Sequence, residues 1–326
     1  MTEIVETQPR KLPWGLLLRI GIIAVIIAFG ALYVREVDWG LIWRAAYGAS
    51  WPLLILAVLL NIPLIGLKAM RLRLLIGGRV GVPKLMGFYV ASYAADNLVM
   101  SQAGLGLRVG LLAHEGISIA SAVAVQGLEK LLEGVGLALL ALPLLFASGL
   151  EPWLASAIHW CLIVGGAAAL ALVVLALLSR PRVTDSPGRR SGAARATIKA
   201  LHHLRETVAP IRDRRLAACV GALTVAAWLV EVAMVAVTFA ALHLPVDLVS
   251  SVVLLVAVNV AALVPGLPAN LGSFEMSGMV ALESFGIARE AALGFVILYH
   301  ASHTIPVTII GLLIGAKGPG GKGRTG

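Results

Sequence analysis

An apolar region that breaks in its middle places the hardest constraint on this chain. From Asn259 to Glu275 the sequence reads NVAALVPGLPANLGSFE, so Pro265, Gly266, Pro268 and Gly272 stand among Asn259, Asn270 and Glu275. Proline removes a helical N–H and clashes with the preceding turn, so a membrane helix has to stop here. Backbone groups left unpaired in hydrocarbon cost several kcal/mol each, and broken backbone survives there only when buried in protein or beside a wet cavity. The stretch therefore predicts the tip of a re-entrant hairpin. A related stretch, NLVMSQAGLGLR, runs from Asn97 to Arg108, with Gly104 placed after Asn97 as Gly266 is placed after Asn259. Gly116-Ile117 and Gly286-Ile287 then each open a long apolar helix, with Ala122 and Ala292 at matching positions.

Composition fixes the setting. The chain is 59% hydrophobic and 13% charged, with a mean hydropathy of +0.94, which is far from soluble globular domains and describes a polytopic membrane protein. Its two cysteines, Cys161 and Cys219, both fall in apolar spans and offer neither a disulfide framework nor a cysteine metal site. The net charge of +9 is concentrated, with ten Lys/Arg against three Asp/Glu between Arg180 and Arg215. No aromatic residues interleave there to stack bases, so the loop reads as a cytoplasmic face and no nucleic-acid partner is expected.

Charge also sets the topology. A first apolar segment at 14–34 reads as an anchor, because it is too long for a signal h-region. The span from 51 to 67 runs into Lys68, Arg71, Arg73, Arg79 and Lys84, an acid-free basic end that faces the cytoplasm. If 85–112 crossed fully, the basic loop would lie outside. If it enters, breaks near Gly104 and returns, the loop lies inside, as the charge rule requires. The expected fold is thus all-α, with about six full transmembrane helices and two re-entrant helical hairpins in an inverted repeat. The first repeat covers 51–146, a linking span 154–179, the basic loop 180–215, the second repeat 216–314 and a disordered tail 316–326. Such repeats are a recurring architecture of secondary transporters. A plain bundle kinked by Gly and Pro is the competing reading.

Ionisable residues inside the spans need partners or a wet path. Glu129 and Glu133 lie one turn apart, and Lys130 is spaced to reach Glu133, so this set is either a neutralised structural cluster or part of a pathway. Glu231 has no local cation and is either a cross-helix ion-pair partner or a protonatable group. Arg108 and Glu275 follow the two breaks and, with Asn97, Asn259 and Asn270, form an expected polar path for a lipid headgroup. His300 and His303 share a helix face beside Tyr299. Metal binding there lacks further ligands, which leaves packing or hydrogen bonding, and His300 joins the path set. Lys68, Arg71 and Arg73 read either as headgroup-gathering cations or as snorkelling anchors.

Several activities lack their signatures. The tail GAKGPGGKGRTG has Ala316 where a phosphate loop requires Gly, no HExxH occurs, and Ser273 lacks a G-x-S-x-G setting, so no nucleotide, cofactor, metal or catalytic residue is expected.

Two stretches, YAADNLVMSQAGLGLRVGLLAHEGIS (93–118) with QGLEKLLE after it and LVPGLPANLGSFEMSGMVALESFGI (263–287) with LYHASHTIP after it, resemble the flippase-like membrane domain of lysylphosphatidylglycerol synthases, the multiple peptide resistance factors. The resemblance covers essentially the whole chain. It implies movement of a lipid between leaflets of a bacterial inner membrane, and the charge rule places both termini on the cytoplasmic side. The soluble aminoacyl-transfer domain of two-domain members has no counterpart in these residues, so synthase activity is not implied. Stand-alone relatives are associated with isoprenoid lipids, including hopanoids, and the first motif reads Ser101-Gln102-Ala103-Gly104 where the family more often has Pro-Gly. A non-transporting partner of a lipid-modifying enzyme or glycosyltransferase is the alternative function. An intramembrane transferase dependent on Glu129 or Glu275 is a third. Membrane lipid, such an enzyme and a second copy of the chain are the partner classes left open.

Overall fold

The computed structural model describes residues 40, 43, 47–146, 152–178, 213–245, 247–263 and 268–316. The first apolar segment, the basic loop up to residue 212, positions 264–267 and the tail from residue 317 lie outside the described residues. Among the described residues there are helices and no strands.

Ten α-helices lie among the described residues. They are α1 (Trp51–Leu59), α2 (Asn61–Leu75), α3 (Val82–Leu98), α4 (Ala103–His114), α5 (Ile119–Ala141), α6 (Pro152–Leu178), α7 (Arg214–Ala241), α8 (Leu248–Ala261), α9 (Ser273–Glu283) and α10 (Arg289–Ala316). Short 3-10 turns cover Leu142–Phe146 and Pro268–Asn270. Among the described residues, four stretches are long and apolar enough to cross a membrane: Trp51–Leu75, Pro152–Leu175, Arg214–Ala241 and Arg289–Ile314. Helix α5, with 23 residues, has the length as well, but Glu129, Lys130 and Glu133 sit at its centre.

Local chemistry explains the boundaries. Pro63 has no N–H to give and its ring crowds the carbonyl of Leu59, so α1 stops there and α2 begins one residue later. Ser118 caps α5 by accepting from the Ser121 N–H at 3.1 Å, and Asp247 caps α8 by accepting from the Ser250 N–H at 2.9 Å. Helices α4 and α9 end alike. Gly116 (φ 81) and Gly286 (φ 75) take the left-handed conformation that only glycine adopts freely. Ile117 and Ile287 then donate back to Leu112 and Leu282. Ala122 and Ala292, one turn into α5 and α10, are both fully buried. All four pairs are separated by the same interval of 170 residues.

The chain therefore contains two helix–break–helix pairs that pack on themselves, α3 with α4 and α8 with α9. The first break is at 99–102, before Gly104, which lies inside α4. Gly104 serves close approach, because a Cβ there would collide with the carbonyl of Ser92 and with Asp96. Helices α2 and α7 pack antiparallel: Arg71 reaches Thr224 while Lys68, further back, reaches Glu231 further on. The last helix, α10, crosses over to lie along α3, with Gly311 seated under the Val90 carbonyl and Ala94. Val307 of α10 accordingly joins the core of the first half and Leu64 of α2 joins that of the second.

Candidate functional site

Charge is buried where these elements converge. Arg71 of α2 is 1% exposed. Its Nη2 donates to Glu133 Oε1 at 2.5 Å and to Glu129 Oε1 at 3.3 Å, while Nη1 donates to Thr224 Oγ1 at 3.2 Å. Glu129 also accepts from the Tyr89 hydroxyl and, at 3.5 Å, from Arg108 Nη1. Arg108 is completed by Gln126 Oε1 at 3.1 Å, Ser92 Oγ at 3.3 Å and the Tyr89 ring, whose centroid lies 4.0 Å from Cζ. Two guanidinium groups and two carboxylates thus neutralise one another. Every one of these charges is hydrogen-bonded, which is the condition for burying them at all.

A second set lies on α10 and its neighbours. Glu231 of α7 accepts from Lys68 Nζ at 3.4 Å, from His303 Nε2 at 3.3 Å and from the Tyr299 hydroxyl at 3.5 Å. His300 Nδ1 donates to Glu275 Oε1 at 2.6 Å, with the ring of Phe274 stacked on the imidazole. The other oxygen of Glu275 accepts from the Gly272 N–H at 2.7 Å, so the same carboxylate caps α9. Lys68, Glu231, Glu275, His303 and Glu133 keep between 15% and 26% of their side-chain surface accessible, so they are not sealed in the core.

The two breaks are in contact. Ser101 Oγ donates to Asn270 Oδ1 at 2.7 Å, joining the first break to the second. Asn97 Nδ2 donates to Thr308 Oγ1 at 2.8 Å on α10, and Asp96 accepts from the Gly104 N–H at 2.8 Å. Gln102 (φ 75), Ala269 (φ 56) and Asn270 (φ 55) are left-handed, a conformation in which non-glycine residues are strained.

Of the residues expected to line a polar path, Arg108, Glu129 and Glu133 form one cluster, while Glu231, Glu275 and His300 stand around the other. Asn97 and Asn270 make the inter-element bonds just described. Asn259 turns back on its own helix, donating to Leu255 O at 2.8 Å. Lys130 does not pair with Glu133: it is exposed and makes no ion pair among the described residues, because Arg71 holds Glu133. His300 and His303 face different carboxylates, so their shared helix face is not a shared ligand set. Lys68 and Arg71 are not surface anchors. Their place was readable from length, since Lys68 lies about 26 Å along a span that starts at Trp51, within a hydrocarbon core of about 30 Å. Tyr89 and Thr224 carried no sequence signal, because a single hydroxyl in an apolar helix is commonplace.

Crossing helices and paired charge within an apolar exterior define a multi-pass integral membrane protein. The chain belongs to the lysylphosphatidylglycerol synthase TM region family, whose profile matches residues 16–311. Among curated proteins, none matches it.

Proposed function

We propose that this protein moves a polar or isoprenoid lipid between the leaflets of a cytoplasmic membrane. In this reading α3–α4 and α8–α9 are re-entrant hairpins inserted from opposite sides, α5 is a full span, and residues 51–146 and 216–314 form an inverted repeat. The common 170-residue interval and the antiparallel packing of α2 on α7 support the repeat. The observation that carries the functional reading is the set of paired, partly accessible ionisable side chains Lys68, Glu133, Glu231, Glu275 and His303 between the helices. Ionisable groups inside membrane spans are costly and mark pathways. A headgroup follows these groups while acyl or isoprenoid tails remain in lipid.

The test is a vesicle assay. Full-length protein reconstituted into phosphatidylcholine vesicles with fluorescent phosphatidylglycerol should let the label exchange leaflets, read by dithionite quenching, and Glu231→Gln should slow it. Exchange no faster than in empty vesicles, repeated with labelled phosphatidylethanolamine and a polyprenyl phosphate, would remove the transport reading.

A further inference from the structure

Among the described residues, the second buried cluster falls one positive charge short of its carboxylates. Arg71 and Arg108 balance Glu129 and Glu133. Asp96, whose carboxylate holds the Gly104 N–H, has Arg108 and Lys130 as the cations that act on it. The second cluster holds two carboxylates, Glu231 and Glu275, against one fixed cation, Lys68. Lys68 is spent on Glu231. Glu275 has no Lys or Arg partner among the described residues, and the imidazole of His300 is its one side-chain contact of possible positive charge.

From this geometry we infer that His300 and Glu275 form a proton-binding pair, and that the bound proton holds the tip of the second hairpin in place. The pair is built for this. One oxygen of Glu275 meets His300 Nδ1 and the other caps Gly272, which opens α9. Ser273 Oγ donates to the Asn270 carbonyl at 3.0 Å, and the Asn270 side chain accepts from Ser101 of the first break. A hydrogen-bonded chain thus runs from the imidazole to the contact between the two breaks. The hydrogen bond to Glu275 uses Nδ1 and leaves the imidazole Nε2 as the position for a second proton.

The surroundings leave the assignment to His300. On α10 itself stand Tyr299 and His303, and both address Glu231. Helix α9 contributes Glu275 and the stacked ring of Phe274. Helix α7 brings Glu231, α2 brings Lys68 and α5 brings Glu133, the last held by Arg71. Helix α3 offers Asn97, which is uncharged and bonds to Thr304 and Thr308, while α1 and α8 carry no titratable residue. With His300 protonated, the ion pair to Glu275 is complete and the tip is held. Loss of the proton leaves a carboxylate with only neutral donors in a low-dielectric setting, and the tip loosens. This deepens the transport reading by naming its coupling ion, although the switch itself does not depend on lipid movement.

The experiment places spin labels at Met100 and Leu271, both exposed beside the two breaks, in full-length Cys161→Ala/Cys219→Ser protein in phosphatidylcholine–phosphatidylglycerol vesicles. Between about pH 5 and pH 8, the range in which histidine titrates, the distance distribution should move from one narrow population to a longer or broader one. His300→Gln should abolish that response and His303→Gln should keep it. Should His300→Gln fail to fold, Glu275→Gln serves in its place, with the same loss expected. A distribution that ignores pH in the parent, a response that survives His300→Gln, or one that vanishes in His303→Gln overturns the assignment. A response through His300 in a protein that fails to exchange fluorescent lipid overturns the transport reading instead.

Discussion

Asn61 illustrates how a single polar residue is matched to a defect far away in sequence. Pro306 lies inside α10 and has no N–H, so the carbonyl of Ser302, four residues earlier, loses its helical donor. The Asn61 side chain supplies the replacement at 3.0 Å and gives its second N–H to Val58 O at 2.9 Å beside the break between α1 and α2. Asn61→Leu should therefore cost about 1–3 kcal/mol, the penalty of an orphaned buried carbonyl. Adding Pro306→Ala should recover much of it by restoring the helical donor. Thermal unfolding in detergent reads both, and additive costs would contradict the pairing. Gly104 makes a steric version of the argument. Gly104→Ala should destabilise by about 1–3 kcal/mol, since backbone rather than a flexible side chain is in the way. Gly106→Ala, on the same helix with open space around it, should be neutral or slightly stabilising. Arg71→Met leaves the buried Glu129 and the partly buried Glu133 short of a cation and should cost about 3–5 kcal/mol. Glu133→Gln in that background should return part of the loss, because it removes one of the stranded charges.

At the level of elements, helix ends carry the information that matters. Helices α3 and α4 together are long enough to be mistaken for one span, but the helix stops at Leu98 and restarts at Ala103. In the re-entrant reading, the residues flanking this pair lie on one side of the membrane. Arg79→Cys and His114→Cys, both at exposed positions, should then react with an impermeant maleimide from the same face. His243→Cys and Ala288→Cys, flanking the second pair, should react only from the opposite face. Labelling of Arg79→Cys and His114→Cys from opposite faces would reject the hairpin. Both second arms begin with a carboxylate on their N-terminal N–H groups: Asp96, from α3, serves α4 and Glu275, from within α9, serves its own helix. The helix-terminal positions that hold anionic substrate groups in some transporters are thus filled by the protein's own acids.

Across the whole molecule, Arg73, Arg79, Lys84, Arg214 and Arg215 are exposed where α2 ends, α3 begins and α7 begins, all at one end of the α2–α7 pair. A green fluorescent protein fused after Gly326 should fluoresce, as the positive-inside rule predicts for that orientation. A dark fusion with intact expression would reverse it. From the sequence alone came the membrane setting, the two broken regions, the matched Gly-Ile pairs ahead of α5 and α10, and the acidic positions on α5 and α7. Each follows from hydropathy, proline and glycine stereochemistry or the cost of buried charge, all of which act locally. Which charges meet was decided only by the tertiary structure. Arg71 finds Glu129 and Glu133, Lys68 finds Glu231, and His300 finds Glu275, because α2 lies antiparallel to α7 and α9 packs against α10. Helical spacing offers each ionisable group several partners, such as Lys130 for Glu133. The packing of apolar faces selects one of them, because it fixes which sides of the helices are turned toward each other.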